Sequence, residues 1–373
     1  MQSIYGFRPA TKINRLTRVA TLLTLMGSCI TAVPASQAAD KVMQFALIGD
    51  TPYDAKQNKE FTNLVKAVNR EDLAFVVHAG DLWFDGIAWK DSTKGLPPCA
   101  DETMADRLKE ANKFKHPFIY TPGDNDWTDC WRAKPKAYDP LERLGKLRKM
   151  YFKGNRSLGS KRIALQRQSE NPKYSKFREN ALWIEDGALF VTLHMVGSNN
   201  NLGRTPEMDR EYKARNAANL AWLDEAFKVA QRRQLRAIMF ITQANPQFET
   251  TWTAKQKKRY LLSGLRIKPT NDAIWTGFDD FIDSLLRHTI AFGKPVVLVH
   301  GDTHTFRIDK PLLDAKTGRI IENFTRVEVF GFPDTHWIRA TLDPDDANVF
   351  SFEPVIVPAN RASHAVSGNT PSE

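Results

Sequence analysis

Cysteine is scarce in this chain, with three among 373 residues, so at most one internal disulfide can form. No Gly-rich phosphate loop, no dinucleotide-binding fingerprint and no Ser/His/Asp arrangement can be read, which removes the commonest nucleotide-cofactor and serine-nucleophile chemistries. No recognisable nucleic-acid module is present, and charge alone would be a weak argument for nucleic-acid binding. Beyond Val33 no long apolar run recurs, so no later segment reads as a membrane span. No internal repeat and no clear linker divides the sequence.

What is present begins with a basic, acid-free leader. Arg8, Lys12, Arg15 and Arg18 precede an apolar stretch from Val19 to Val33, and Ser36-Gln37-Ala38 supplies a small-x-small cleavage site. The pattern predicts a secretory signal peptide over residues 1–39, cut near Ala38 or Ala39. A second processing route would use Met26-Gly27-Ser28-Cys29 and leave a lipid-bearing Cys29, although methionine fits that signal poorly. Either route exports the chain, to a bacterial periplasm or the outside. Loss of the leader removes four basic residues and no acidic ones, so the formal charge falls from +10 to +6.

Cys99 and Cys130 remain after processing. An even pair in an oxidising compartment points to one disulfide, with two separate thiols as the alternative. Lys and Arg gather in KLRKMYFKGNR (146–156), KRIALQR (161–167) and KQKKR (255–259). Their ordinary reading is solvated helix faces. The functional reading is an electropositive rim that attracts an anionic substrate.

Strand-like runs alternate with amphipathic helical ones, the pattern of an α/β protein. Strands are expected over 42–48, 73–79, 117–120, 181–185, 189–194, 236–242, 295–299, 326–330, 337–342 and 349–357. Helices are expected over 55–69, 103–114, 140–151, 213–232 and 277–292. The polar tracts near 153–180 and 247–275 read as insertions, the second carrying Trp252, Tyr260 and Trp275, and 358–373 as a disordered tail. The main domain is then 40–357.

Four of the apolar runs end in Gly-Asp: FALIGD at Asp50, FVVHAGD at Asp81, FIYTPGD at Asp124 and VVLVHGD at Asp302. A lone Gly-Asp is usually a turn. Four at strand ends are different, because α/β sheets bind ligands beyond the carboxyl ends of their strands. Four converging carboxylates would repel one another unless a cation compensates them. His304, in HGDTH, adds an imidazole on the last of these loops.

In order, spacing and strand context these residues resemble the calcineurin-like metallophosphoesterases, over about Val42 to Val357. That family's series is Asp-x-His, Gly-Asp-x-x-Asp, Gly-Asn-His-Asp/Glu, a lone His, and Gly-His-x-His. Here it appears as Asp50-Thr51-Pro52, Gly80-Asp81 with Asp85, Gly123-Asp124-Asn125-Asp126, Gln243, and Gly301-Asp302-Thr303-His304. The resemblance implies a four-layer α/β/β/α sandwich of two mixed sheets. It also implies two divalent ions, one held by Asp50, Asp81 and His304, the other by Asp81 as the bridge, Asp124, Gln243 and Asp302.

Pro52 stands where the family has a histidine ligand, Asp124 replaces an asparagine ligand, and oxygen donors replace imidazoles at Gln243 and Asp302. Such a set favours Mg²⁺, Mn²⁺ or Ca²⁺ over Zn²⁺. Asn125 takes the place of the histidine that contacts phosphate and assists the leaving group. It can hydrogen-bond a phosphoryl oxygen but cannot act as a general acid. Asn125 and Asp126 are the candidate catalytic pair, with Asp126 and Asp85 orienting their neighbours. His78 and His194 sit in apolar strands and read as satisfied core groups sooner than ligands. Trp83, Trp127 and Trp131 read as packing, with stacking on an aromatic substrate as the alternative. Ser198 to Asn201 reads as a polar turn or part of the rim.

The expected function is an exported, divalent-metal-dependent phosphoesterase acting on a small phosphorylated substrate. Two alternatives are a catalytically degenerate member of the fold that binds a metal or an anion, and an envelope interaction protein that uses the insertions.

Overall fold

The computed structural model describes residues 42–84, 95–251, 277–314 and 316–362. The expected leader, Asp85, Trp252, Tyr260, Trp275, the basic run 255–259 and most of the expected tail lie outside these residues.

Among these residues, twelve strands form two mixed sheets. The first has five strands: β1 Met43–Ile48, β2 Val76–His78, β3 Phe118–Tyr120, β11 Trp337–Leu342 and β12 Phe350–Val355, in the order β12-β11-β1-β2-β3. The second has seven: β4 Gln166–Arg167, β5 Ala181–Glu185, β6 Ala188–Thr192, β7 Ala237–Ile241, β8 Val296–His300, β9 Arg307–Asp309 and β10 Phe324–Glu328, in the order β4-β5-β6-β7-β8-β10-β9. Alternation along the strands explains how they stack. Phe45 and Leu47 of β1, with Phe75 and Val77 at β2, meet Trp183, Phe190, Met239 and Val299 in one buried core between the sheets.

The opposite faces are covered by helices, so the strands are apolar on both sides. Ala46, Ile48, Val76 and Phe118 pack against α1 Ala55–Arg70, α2 Asp101–Ala111 and α3 Pro140–Tyr151. Leu189, Val191, Ile238 and Phe240 pack against α4 Pro206–Arg232 and α5 Asp279–Phe292. The four-layer α/β/β/α architecture follows from these three cores.

Helix boundaries track capping chemistry. Asp54 accepts from Gln57 N at 2.7 Å and starts α1. Asp139 with Pro140 starts α3, and Thr205 with Pro206 starts α4. That last cap begins the helix seven residues before the expected Lys213, because Glu207 and Asp209 in its first turn suit the positive end of the helix dipole. The tract 153–180 contributes more than a surface insertion. It carries edge strand β4 and the buried Arg167, Glu179 and Asn180; Glu179 pairs with Arg148, and the Asn180 amide bonds Gln168 and Asn219. The segment expected to begin the tail instead forms a 3₁₀ turn, Pro358–Asn360, whose Asn360 side chain bonds Glu60 O and Thr335 O.

The pairings β1–β2–β3 and β6–β7–β8–β10 are parallel, so their carboxyl ends reach one edge of each sheet. There Cys99 and Cys130 form a disulfide with a Cα–Cα separation of 5.8 Å. It ties the loop preceding α2 to the loop beyond β3. A 31-residue separation corresponds to about 3–4 kcal/mol of lost unfolded-state entropy. Cys99→Ser with Cys130→Ser should therefore lower the unfolding free energy by about that amount and steepen the denaturant slope as the unfolded chain expands, and reduction of the native protein should do the same.

Candidate metal centre

Each Gly-Asp brings its carboxylate to the same edge, and the glycines make room for it. A Cβ on Gly301 would lie 1.9 Å from Asp50 Oδ2, and one on Gly123 would lie 2.0 Å from Asp81 Oδ1. One motif's glycine therefore accommodates another motif's aspartate, which no single motif discloses. Asp50, Asp81 and Asp302 also take left-handed backbone, with φ of 47, 58 and 77°. Asp302 N donates to Asp50 Oδ1 at 2.9 Å and so joins the two sheets at the site.

Five of the six residues expected to hold metal gather around two donors, the Tyr53 hydroxyl and the amide of the sixth, Gln243. Tyr53 Oη lies 2.9 Å from Asp81 Oδ2, 3.4 Å from Asp50 Oδ1 and 3.3 Å from His304 Nε2. Gln243 Nε2 lies 3.2 Å from Asp81 Oδ2, 3.0 Å from Asp124 Oδ1 and 3.5 Å from Asp302 Oδ1. Asp81 Oδ2 thus belongs to both groups, as expected of a bridge. Gln243 Oε1 accepts from Gly197 N at 2.7 Å, which fixes the amide with its NH₂ toward the carboxylates. For its oxygen to face a cation, the amide must turn and give up Gly197.

Asn125 N donates to Asp81 Oδ1 at 3.1 Å, which holds the Asn125 backbone against the Asp81 carboxylate. Asp126 is fully buried and accepts from Asp81 N at 2.9 Å, Leu82 N at 2.9 Å, Gly123 N at 2.8 Å and the Tyr120 hydroxyl. Its carboxylate is spent on clamping two site loops, which leaves it an orienting part and none in direct contact with a reacting atom.

Around this centre the histidines and tryptophans divide by burial. His78 Nε2 meets Thr51 O at 3.1 Å inside the core. Trp127 Nε1 donates to His194 Nε2 at 3.0 Å, so the His194 proton sits on Nδ1 and faces Glu179 at 2.8 Å. Both histidines are structural. Trp83 and Trp127 are buried, whereas Trp131 is half-exposed with the Arg204 guanidinium 5.7 Å from its ring.

Part of the basic run 146–156 is internal pairing: Arg148 meets Glu179, and Lys146 meets Asp101. Residues 198–201 are four successive left-handed residues, with φ from 51 to 68°. They turn Ser198 Oγ to 3.1 Å from Asp124 Oδ2 and 2.8 Å from Asp129 Oδ2. Sequence reading missed the parts played by Tyr53, Ser198 and Asp129. Only Tyr53 left a signal, an oxygen donor one residue beyond the place of the missing histidine.

The sequence profile of the calcineurin-like phosphoesterases matches residues 43–306. The chain belongs to that family. No curated protein matches it at significant similarity. Among solved structures it is similar to PhoD, at 12% identity and a TM-score of 0.49, over 83% of this chain and 66% of that one. It is also similar to a 5′-nucleotidase from Candida albicans, at 10% identity and a TM-score of 0.40, over 84% of this chain and 50% of that one. The chain thus spans about two thirds and half of their respective lengths.

Members of this phosphoesterase family generally bind divalent metals, and the donors here suit a hard cation. Asp50 Oδ2 is buried without a hydrogen-bond partner. Among the described residues, no lysine or arginine forms an ion pair with Asp50, Asp81, Asp124 or Asp302. Also among these residues, no three His, Cys, Asp or Glu side chains close on one point by themselves. The Tyr53 hydroxyl and the Gln243 amide stand among them, so any fit has to include both.

Burial and mutual repulsion raise the carboxyl pKa values of Asp50, Asp81 and Asp124 well above normal. Burial likewise raises Asp126 to about 6 and Asp302 to about 7. Groups raised in the folded state stabilise it at low pH and lose that contribution as pH climbs through the folded pKa. Metal-free protein should therefore lose stability between pH 5 and pH 8. Saturating Mn²⁺ should restore it at pH 8, as thermal melts at both pH values would show.

Proposed function

We propose that this chain is an exported, metal-dependent phosphoesterase that hydrolyses a small phosphorylated substrate. The observation that carries the proposal is the gathering of Asp50, Asp81, Asp124, Asp302 and His304 at one sheet edge, with Asp81 Oδ2 common to two donor groups. Asp50, Asp81 and His304 would hold one divalent ion. Asp81, Asp124, Asp302 and a turned Gln243 would hold the second, and Mg²⁺, Mn²⁺ or Ca²⁺ suits this oxygen-rich set better than Zn²⁺. When bound, the ions supply Lewis acidity and neutralise phosphoryl charge.

The chain's own groups position the substrate. Asn125, fixed to Asp81 through its backbone, offers an amide to a phosphoryl oxygen. Asp126 holds the Asp81 and Gly123 loops in register. Ser198 orients Asp124. Since Asn125 cannot donate a proton to the departing oxygen, esters with acidic leaving groups and phosphoanhydrides are the favoured substrates. Export is supported by the Cys99–Cys130 disulfide, which suits an oxidising compartment. No helix among the described residues is long and apolar enough to cross a membrane.

A second reading has one specific observation behind it. The Gln243 NH₂ bonds three carboxylates, as a cation would, so a descendant that binds an anion or a single metal without turnover is the alternative.

Purified protein should hydrolyse aryl phosphates when supplied with Mg²⁺, Mn²⁺ or Ca²⁺, and Zn²⁺ should stimulate less. Asp81→Asn should cut kcat/KM by roughly a hundredfold or more, since it weakens both ion sites and removes charge stabilisation. Across a substrate series, the rate should fall steeply as leaving-group pKa rises. A flat dependence would exclude the missing-acid argument, and no stimulated hydrolysis of any activated ester would leave the non-catalytic reading.

A further inference from the structure

We propose that the phenolic oxygen of Tyr53 is a metal ligand, taking the place that Pro52 leaves without a donor. The inference rests on the metal-binding reading above and concerns the ion position of Asp50, Asp81 and His304.

Tyr53 Oη faces acceptors on three sides: Asp81 Oδ2 at 2.9 Å, His304 Nε2 at 3.3 Å and Asp50 Oδ1 at 3.4 Å. A hydroxyl has one hydrogen, so it can donate to only one of them at a time. Unless a proton lies on one of the facing carboxylates, the hydroxyl's lone pairs then confront a carboxylate oxygen in a buried setting, an arrangement that a cation among these donors would relieve. His304 Nε2 and Asp50 Oδ1 are themselves 3.6 Å apart.

Donors around a hard cation lie about 2.1–2.4 Å from it, so neighbouring donors are about 3–3.4 Å from one another. The separations of 2.9, 3.3, 3.4 and 3.6 Å fall on or near that spacing. These four separations, three of which share Tyr53 Oη, are therefore those expected between neighbouring donors of one coordination shell. Asp50 Oδ2, buried and without a partner, lies on the same carboxylate.

The ring is aimed before any ion arrives. It stacks on Phe332 with centroids 5.8 Å apart and an interplanar angle of 16°, and it packs against Phe84 at 5.5 Å. Tyr53 N donates to Gln57 Oε1 at 2.8 Å, which fixes the backbone at the start of α1. Phenylalanine preserves all of these contacts and removes only the oxygen. The exchange of imidazole for phenol also matches Asp302, where an oxygen donor stands in the place of the family's histidine.

Chelator-treated protein titrated calorimetrically with Mn²⁺ alone supplies one readout, and the visible spectrum after loading with Fe³⁺ supplies another, because a phenolate on ferric iron gives a charge-transfer band. The native protein should bind Mn²⁺ and colour with Fe³⁺. Tyr53→Phe should bind Mn²⁺ at least tenfold more weakly at its tighter site and lose the band. Tyr53→His should regain Mn²⁺ affinity without colour.

Iron-loaded native protein lacking the band overturns the proposal even if Tyr53→Phe binds Mn²⁺ poorly, since the hydroxyl then only braces Asp81. Equal Mn²⁺ affinity in native protein and Tyr53→Phe also overturns it, while leaving the phosphoesterase reading intact. No binding of any divalent ion by the native protein defeats both. Should Tyr53→Phe fail to fold, the native band decides alone.

Discussion

Four carboxylates crowded at the meeting edge of two sheets, three of them buried, are the constraint from which the rest of this structure follows. Asp50, Asp81 and Asp124 are buried and Asp302 is part-buried, and among the described residues no lysine or arginine forms an ion pair with any of them. Such a group is tolerable only if protons, hydrogen-bond donors or a cation offset its charge. All three devices have traces here: raised pKa values, the Tyr53 and Gln243 donors, and the buried unpartnered Asp50 Oδ2. The surrounding framework exists to hold the carboxylates at close quarters despite their repulsion.

That framework has a visible division of labour. Asp126 binds the second loop to the third through two backbone N–H groups of one and one of the other. Asp302 N binds the two sheets through Asp50, and the disulfide fastens the region before α2 to the region after β3. Behind β6, Glu179 accepts from Arg148 and from His194, and His194 accepts from Trp127. Burial would raise the Glu179 carboxyl pKa, but Arg148 and His194 outweigh it and hold the group well below normal. The protein thus neutralises a buried carboxylate with arginine one layer behind the site and withholds arginine from the site itself.

Much of this was legible in the sequence, and the reasons are physical. Strand ends marked by Gly-Asp can be read because an apolar, β-branched run and a turn residue are both local signals. β5, β11 and α3 stand where the pattern places them, since alternation or a Pro-capped amphipathic period specifies each one. The two- and three-residue strands β4 and β9 escape because edge pairing needs no pattern of its own. The early start of α4 escapes because its first turn is polar and is set by the Thr205 cap, not by periodicity. In the site, the carboxylates and His304 carry a motif. Ser198 does not, since its position depends on a left-handed run held by tertiary contacts such as Asn200 to Arg215.

The two substituted positions also show why motif matching undervalues this site. Read by column, Pro52 is a lost ligand and Gln243 a weak one. Read in space, the loss at Pro52 is answered by an adjacent oxygen that the α1 cap and two phenylalanine rings hold beside Asp50, Asp81 and His304. Gln243 has no comparable answer. Its oxygen is engaged by Gly197 N, so an ion beside Asp124 and Asp302 must break that bond before it gains a ligand. The two positions should therefore differ in affinity, with the Tyr53 side filling first. The asymmetry comes from one backbone N–H, not from the charges, which are similar on both sides.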